Sequence, residues 1–169
     1  MSELRVQGAR LHGLAQTMSD GWALVGGMFL LAVVAINVVS IIGFALFGWA
    51  VPGDFEMTEM GVAIAAFSFL PFCQIRGFNV TADIFTQKAS DSVLALFRFL
   101  AALVAFGFAL LMVWSTYHGM LDQKQYEYTT AILQIPKWWG FAFALLSFML
   151  LVLSSFATLV DTMTGNTGR

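Results

Sequence analysis

From Gly21 to Gly53 the chain reads GWALVGGMFLLAVVAINVVSIIGFALFGWAVPG, and no charged residue interrupts it between Asp20 and Asp54. A bilayer core takes about 20 apolar residues as a helix, so this stretch predicts one long or tilted transmembrane helix. It is far longer than the apolar core of a signal peptide. Trp22 and Trp49 bracket it as interfacial anchors.

Outward from that run the charges mark three more spans. Met60 to Ile75 is short, but borrowing Phe55 to Glu59 gives sufficient length, with Pro71 expected to kink the helix because it removes a backbone donor. Phe99 to Leu121 and Trp138 to Val160 are clean spans. The expected architecture is all-α and integral to the membrane. It is a single membrane domain over 1–169 with spans near 21–49, 56–75, 99–121 and 137–160. The composition agrees: 59% of residues are hydrophobic and 11% charged, against roughly a quarter charged in soluble domains. The net charge of −2 gives no footprint for nucleic acid.

Basic residues set the expected orientation. Arg5, Arg10, Arg76, Lys88, Arg98 and Arg169 fall on one side, and only Lys124 and Lys137 on the other. Both termini are therefore expected in the cytoplasm. Between the second and third spans, Phe85, Ala89, Val93 and Leu96 form one helical stripe, which predicts an amphipathic helix over 82–97 in the interface plane. On the other side, residues 122–137 form a polar and aromatic loop. Pro136 is expected in the first turn of the fourth helix, and Trp138 and Trp139 at headgroup level.

The spans carry almost no ionisable group, whereas proton relays and ion paths keep such groups at depth. Asn37, Ser40, Ser68, Ser115, Thr116, Ser147, Ser154 and Ser155 are the polar residues there, and for Asn37 a hydrogen bond between helices outweighs substrate contact. A haem bundle needs paired axial ligands. The two histidines, His12 and His118, sit near span ends and supply none. Neither has a credible acid and nucleophile beside it, so no hydrolase triad can be written. Cys73 stands alone, too few for a disulfide or a metal set. Asn79-Val80-Thr81 fits a glycosylation pattern on the wrong side of the membrane. Glu56 and Glu59 lie one turn apart, and two acids opening a helix are explained by its dipole before a carboxylate pair. Ala23 with Gly27, Gly61 with Ala65, and Ala101 with Ala105 have the spacing of close helix contacts. An apolar bundle with no enzyme, metal or cofactor site of its own reads as an accessory subunit.

The run FEMTEMGVAIAAFSFLPFCQIRGFNVTAD, Phe55 to Asp83, then becomes specific. It resembles the small membrane subunit of tripartite ATP-independent periplasmic (TRAP) transporters, the DctQ-like family. Glu59, Arg76, Gly77, Val80 and Asp83 occupy that family's acidic opening, its basic-glycine exit, and the valine and aspartate beyond. Ile135-Pro136-Lys137-Trp138-Trp139 resembles its Ile-Pro-x-Trp entry to helix four. Val62 and Ala63 stand where members often carry a basic residue, and Asn79 where a His is common.

The resemblance implies a bacterial inner-membrane protein, paired as a heterodimer with a large, many-helix subunit that carries the substrate and sodium sites. A periplasmic substrate-binding protein would deliver an organic acid, and this chain would belong to the stationary frame. On that reading Glu59 either pairs with a basic group of the large subunit, meets the binding protein, or is a solvated helix-start acid. Arg76 and Arg98 meet membrane phospholipids in preference to a partner. Asp83 fixes the interfacial helix, and Trp138 and Trp139 anchor the belt. The loops at 51–58 and 122–135, with Glu56, Glu59 and Glu127, form the docking surface. Two competing functions are a membrane anchor of a respiratory complex, set back by the missing His pair, and a stand-alone four-helix channel or exporter, set back by the bundle's lack of polar lining.

Overall fold

A computed structural model describes residues 2–77 and 91–164, with side chains at 10–77, 96–97 and 99–163. Four helices account for most of them: α1 (Ser2–Phe47), α2 (Asp54–Arg76), α3 (Asp91–Gln125) and α4 (Trp138–Thr164). Each contains a segment long and apolar enough to cross a membrane, and the described residues contain no β-strand.

The helix centres fall where the uncharged runs lie, but the ends do not. α1 begins at Ser2, and its 46 residues extend about 69 Å at 1.5 Å each, more than twice a bilayer core of about 30 Å. α3 begins at Asp91, so positions 91–97 of the expected interfacial helix are helical and continuous with the third span, which begins at Phe99. The rest of that segment, with Asp83, lies outside the described residues. α2 runs unbroken through the buried Pro71 to Arg76, where Gly77 takes the left-handed conformation (φ 67°). Pro136 lies just before α4, bridged to Thr129 across the loop, not inside the first turn.

α4 is the central helix, in contact with α1, α2 and α3, while α3 packs chiefly on α4. Small and hydroxylated side chains make that position possible. Ser147, Ser154 and Ser155 of α4 are fully buried. Ser154 Oγ shares a hydrogen bond at 3.0 Å with Ser19 Oγ of α1. Trp22 is not a free interfacial anchor: its indole N–H donates to Ser147 Oγ at 2.8 Å, and its ring stacks on Phe143.

Ala109, Ala144, Phe148 and Leu151 form the main apolar core between α3 and α4, with Phe67 of α2 against it. α1 and α2 meet at Gly61, where an added Cβ would overlap Val33, and at Gly26, where one would stand 2.6 Å from Ser68 Cβ. Gly61 and Ala65 are thus a close-contact pair, as their spacing suggested. The glycine of α1 that approaches α2 closely is Gly26, whereas Gly27 has open space. On α3 the buried alanines are Ala102 and Ala109, whereas Ala101 is exposed. Spacing identifies a small-residue row but not its direction when every face is apolar. Leu24, Leu31, Val104 and Leu111 point outward, as side chains solvated by lipid do.

Candidate functional site

The bundle has two unlike ends. At the loop end, Gly48 (φ 66°) stops α1 and Gly53 (φ 76°) starts α2. Gly53 is doubly required. Its backbone is left-handed, and a Cβ would lie 2.5 Å from Leu133 Cγ.

The first turn of α2 then makes two clamps. Asp54 Oδ2 accepts from Ser40 Oγ of α1 at 2.5 Å, and Ser40 Oγ accepts from the Val51 N–H at 3.2 Å. Asn37 Nδ2 donates to Thr58 Oγ1 at 2.7 Å, which joins α1 to α2. The second clamp crosses the bundle. Glu56 Oε1 accepts from Ile132 N–H at 2.7 Å, and Oε2 accepts from Leu133 N–H at 3.0 Å.

The loop so held is a narrow turn. Lys137 N–H donates to Tyr128 O at 2.9 Å and Thr130 N–H to Ile135 O at 3.0 Å. Ile135 N–H donates back to Thr130 Oγ1 at 3.1 Å, and Glu127 and Gln134 take positive φ. The loop presents Tyr126, Tyr128 and Ile132 outward.

Glu56 and Glu59 are therefore not a carboxylate pair. Glu56 is buried and spent on the loop, whereas Glu59 is exposed and borders a cleft of about 320 Å³. The cleft exists because α2 and α3 each pack on α4 but scarcely on each other. Glu59, Thr116, Thr130 and Lys137 line one end of it. Its walls are Met60, Ala63 and Phe67 of α2 with Gly140, Phe141, Ala144 and Phe148 of α4. Trp138 and Trp139 stand beside it at the start of α4, ring centres 6.1 Å apart and nearly perpendicular. Lys124 Nζ lies 5.8 Å over the Trp138 ring, and Trp139 is half exposed.

At the other end, both described chain ends converge. His12 Nδ1 meets Asp161 Oδ2 at 2.5 Å, and Arg76 donates to Asp20 Oδ2 at 2.7 Å while lying over the Phe72 ring. Ala15, Ile75 and Ala157 pack together between these pairs. Arg98 belongs to the backbone of α3, and its side chain is outside the described residues.

Of the residues singled out in the sequence, Glu56 and Glu59 share the loop end with Trp138 and Trp139, while Arg76 stands at the opposite end. Sequence reasoning missed the Glu56 clamp, since its partners are backbone N–H groups that no side-chain pattern reveals. It missed Thr116, Thr130 and Lys137 as one group because they lie on different elements. The spans had nevertheless marked Thr116 as polar.

Residues 30–165 match the family model described as "Tripartite ATP-independent periplasmic transporters, DctQ component". No curated protein and no solved structure matches the chain.

Proposed function

The chain belongs to the DctQ family of tripartite ATP-independent periplasmic transporter components, and from that premise we propose that it is the fixed membrane brace of a secondary uptake system. The family is one of transporter components, not of enzymes. In this reading the chain pairs with the large membrane subunit as a heterodimer in the bacterial inner membrane. The large subunit moves an organic acid coupled to sodium, and a periplasmic protein delivers it. The loop end faces the periplasm and the His12–Asp161 end the cytoplasm. The excess of basic residues on the latter side supports that orientation.

The observation that carries the reading is the family match over residues 30–165, which takes in the last three spans whole and the second half of the first. The bundle's chemistry supports a bracing role. Within the spans its polar and close helix contacts include hydroxyl to hydroxyl, indole to hydroxyl and glycine against a neighbouring side chain. Such contacts fix helices in one arrangement and offer no charge to an anionic substrate. The two clamps on α2 hold the loop face rigid, as a docking surface for a soluble protein requires.

The test is a tagged purification in mild detergent with the neighbouring large membrane protein co-expressed, followed by transport in vesicles. A stable pair that transports only when both chains and the binding protein are present is expected. Transport by this chain alone, or by the large subunit without it, overturns the proposal.

A further inference from the structure

Glu59 and Lys137 border the same cleft, yet neither side chain forms a hydrogen bond or ion pair within the described residues. Opposite charges at one mouth that do not neutralise each other leave both free to meet a ligand carrying both signs. The Thr116 hydroxyl, also on the cleft wall, makes no hydrogen bond either. Below these groups the walls are apolar, ending at Phe67 and Phe148, which pack into the core with Ala109 and Leu151. Polarity is thus confined to the end beside Trp138 and Trp139, and the floor is closed.

We propose that this cleft binds one zwitterionic phospholipid with a primary ammonium headgroup, from the leaflet on the loop side. Lys137 meets the phosphate and Glu59 the ammonium, while the acyl region lies in the cleft against its α2 and α4 walls. The dimensions suit a lipid. From Glu59 to Phe67 the cleft descends eight helical residues, about 12 Å at 1.5 Å each, within the roughly 15 Å of one leaflet's hydrocarbon. A helix from another protein would run the length of the bundle, whereas this cleft ends at Phe67 and Phe148, which pack into the core. An anionic lipid would set its phosphate against Glu59 without an ammonium to answer it. A quaternary ammonium has no N–H to give the carboxylate. Gly140 in the wall keeps the space open, since a Cβ there would meet only Met60 Cε, at 3.7 Å.

The full chain, stripped of lipid by detergent exchange, would be titrated with phosphatidylethanolamine, phosphatidylcholine or phosphatidylglycerol of the same acyl chains, and retained lipid counted by native mass spectrometry. One phosphatidylethanolamine per chain is expected, held about fivefold more tightly than either competitor, which corresponds to about 1 kcal/mol. Lys137→Gln should weaken it by a similar factor and Lys137→Arg restore it. Glu59→Gln should erase the preference over phosphatidylglycerol. Ala63→Phe, at an exposed position that borders the cleft, should abolish retention while elution volume and melting stay unchanged. Equal retention of all three lipids, or a lipid still bound to Ala63→Phe, overturns the proposal. So does a photo-crosslinker at position 63 that captures a protein in membranes instead of phospholipid.

Discussion

Glu56, in the first turn of α2, accepts a hydrogen bond at 3.0 Å from the backbone N–H of Leu133, 77 residues later in the chain. Leu133 in turn packs its side chain over Gly53, where a Cβ would not fit. A carboxylate and a missing side chain thus seat the same loop from two sides. The start of α2 and the turn before α4 are consequently one rigid unit, although they come from opposite halves of the sequence.

That unit should loosen when the carboxylate is lost. Glu56→Gln keeps one acceptor oxygen but turns an NH2 group toward a backbone N–H, leaving one buried donor unanswered. Amide exchange at Ile132 and Leu133 should speed up about tenfold or more, with little change in the centres of α1 and α4. Unchanged protection at those two amides would show that the loop is held by its own internal hydrogen bonds.

The contact between Gly61 and Val33 makes a packing prediction. Gly61→Ala favours the helix locally by up to about 1 kcal/mol, yet its new methyl group overlaps Val33. Overpacking of this kind costs about 1–3 kcal/mol, so thermal unfolding in detergent should occur at lower temperature. Val33→Ala in the same chain should recover most of the loss, because it removes the clashing atoms. Gly27→Ala, with open space around it, should keep the local helix gain and melt no lower than the parent chain. Equal effects at positions 27 and 61 would contradict this helix register.

These contrasts show where the sequence was legible. Charges such as Asp20, Asp54, Arg76 and Lys137 bound the apolar runs, so four spans and their connections could be placed without structure. The motif from Glu59 to Gly77 pointed to the family that the match over 30–165 establishes. The helix ends were not legible. The opening of α1 carries Arg5, Arg10 and His12, and a helix leaving the membrane keeps its hydrogen bonds when its side chains become polar. Register was illegible for a different reason: lipid and core are both apolar, so Gly26 and Gly27 look alike in sequence although only Gly26 meets Ser68. The cleft required the tertiary positions of Glu59, Thr116 and Lys137 together.

Trp22 separates the two kinds of reading. As a belt anchor it would tolerate Phe with little effect on helix packing. As the donor to Ser147 Oγ, it should couple to that residue in a double-mutant cycle. Trp22→Phe and Ser147→Ala should each lower stability by about 0.6 kcal/mol, the average for hydrogen bonds between membrane helices, and together cost no more than one. Trp49→Phe and Ser147→Ala should simply add. Additivity for Trp22 would return it to the interface.

At the opposite end the question is what Arg76 holds. Its guanidinium reaches Asp20 at 2.7 Å, with both side chains more than a third exposed (39% and 36%), so the pair is worth at most about 1 kcal/mol and is screened by salt. Arg76→Gln and Asp20→Asn should therefore produce similar small drops in melting temperature, and the double variant no further drop. Raising the salt should shrink all three. If Arg76 mainly meets lipid phosphate, Asp20→Asn would leave stability unchanged while Arg76→Gln alone lowered it, most strongly in anionic nanodiscs. The ion pair joins α1 to the end of α2, near the His12–Asp161 contact that joins α1 to α4. Loss of the Arg76 pair should therefore also raise amide exchange around Ala15, where α1, α2 and α4 meet.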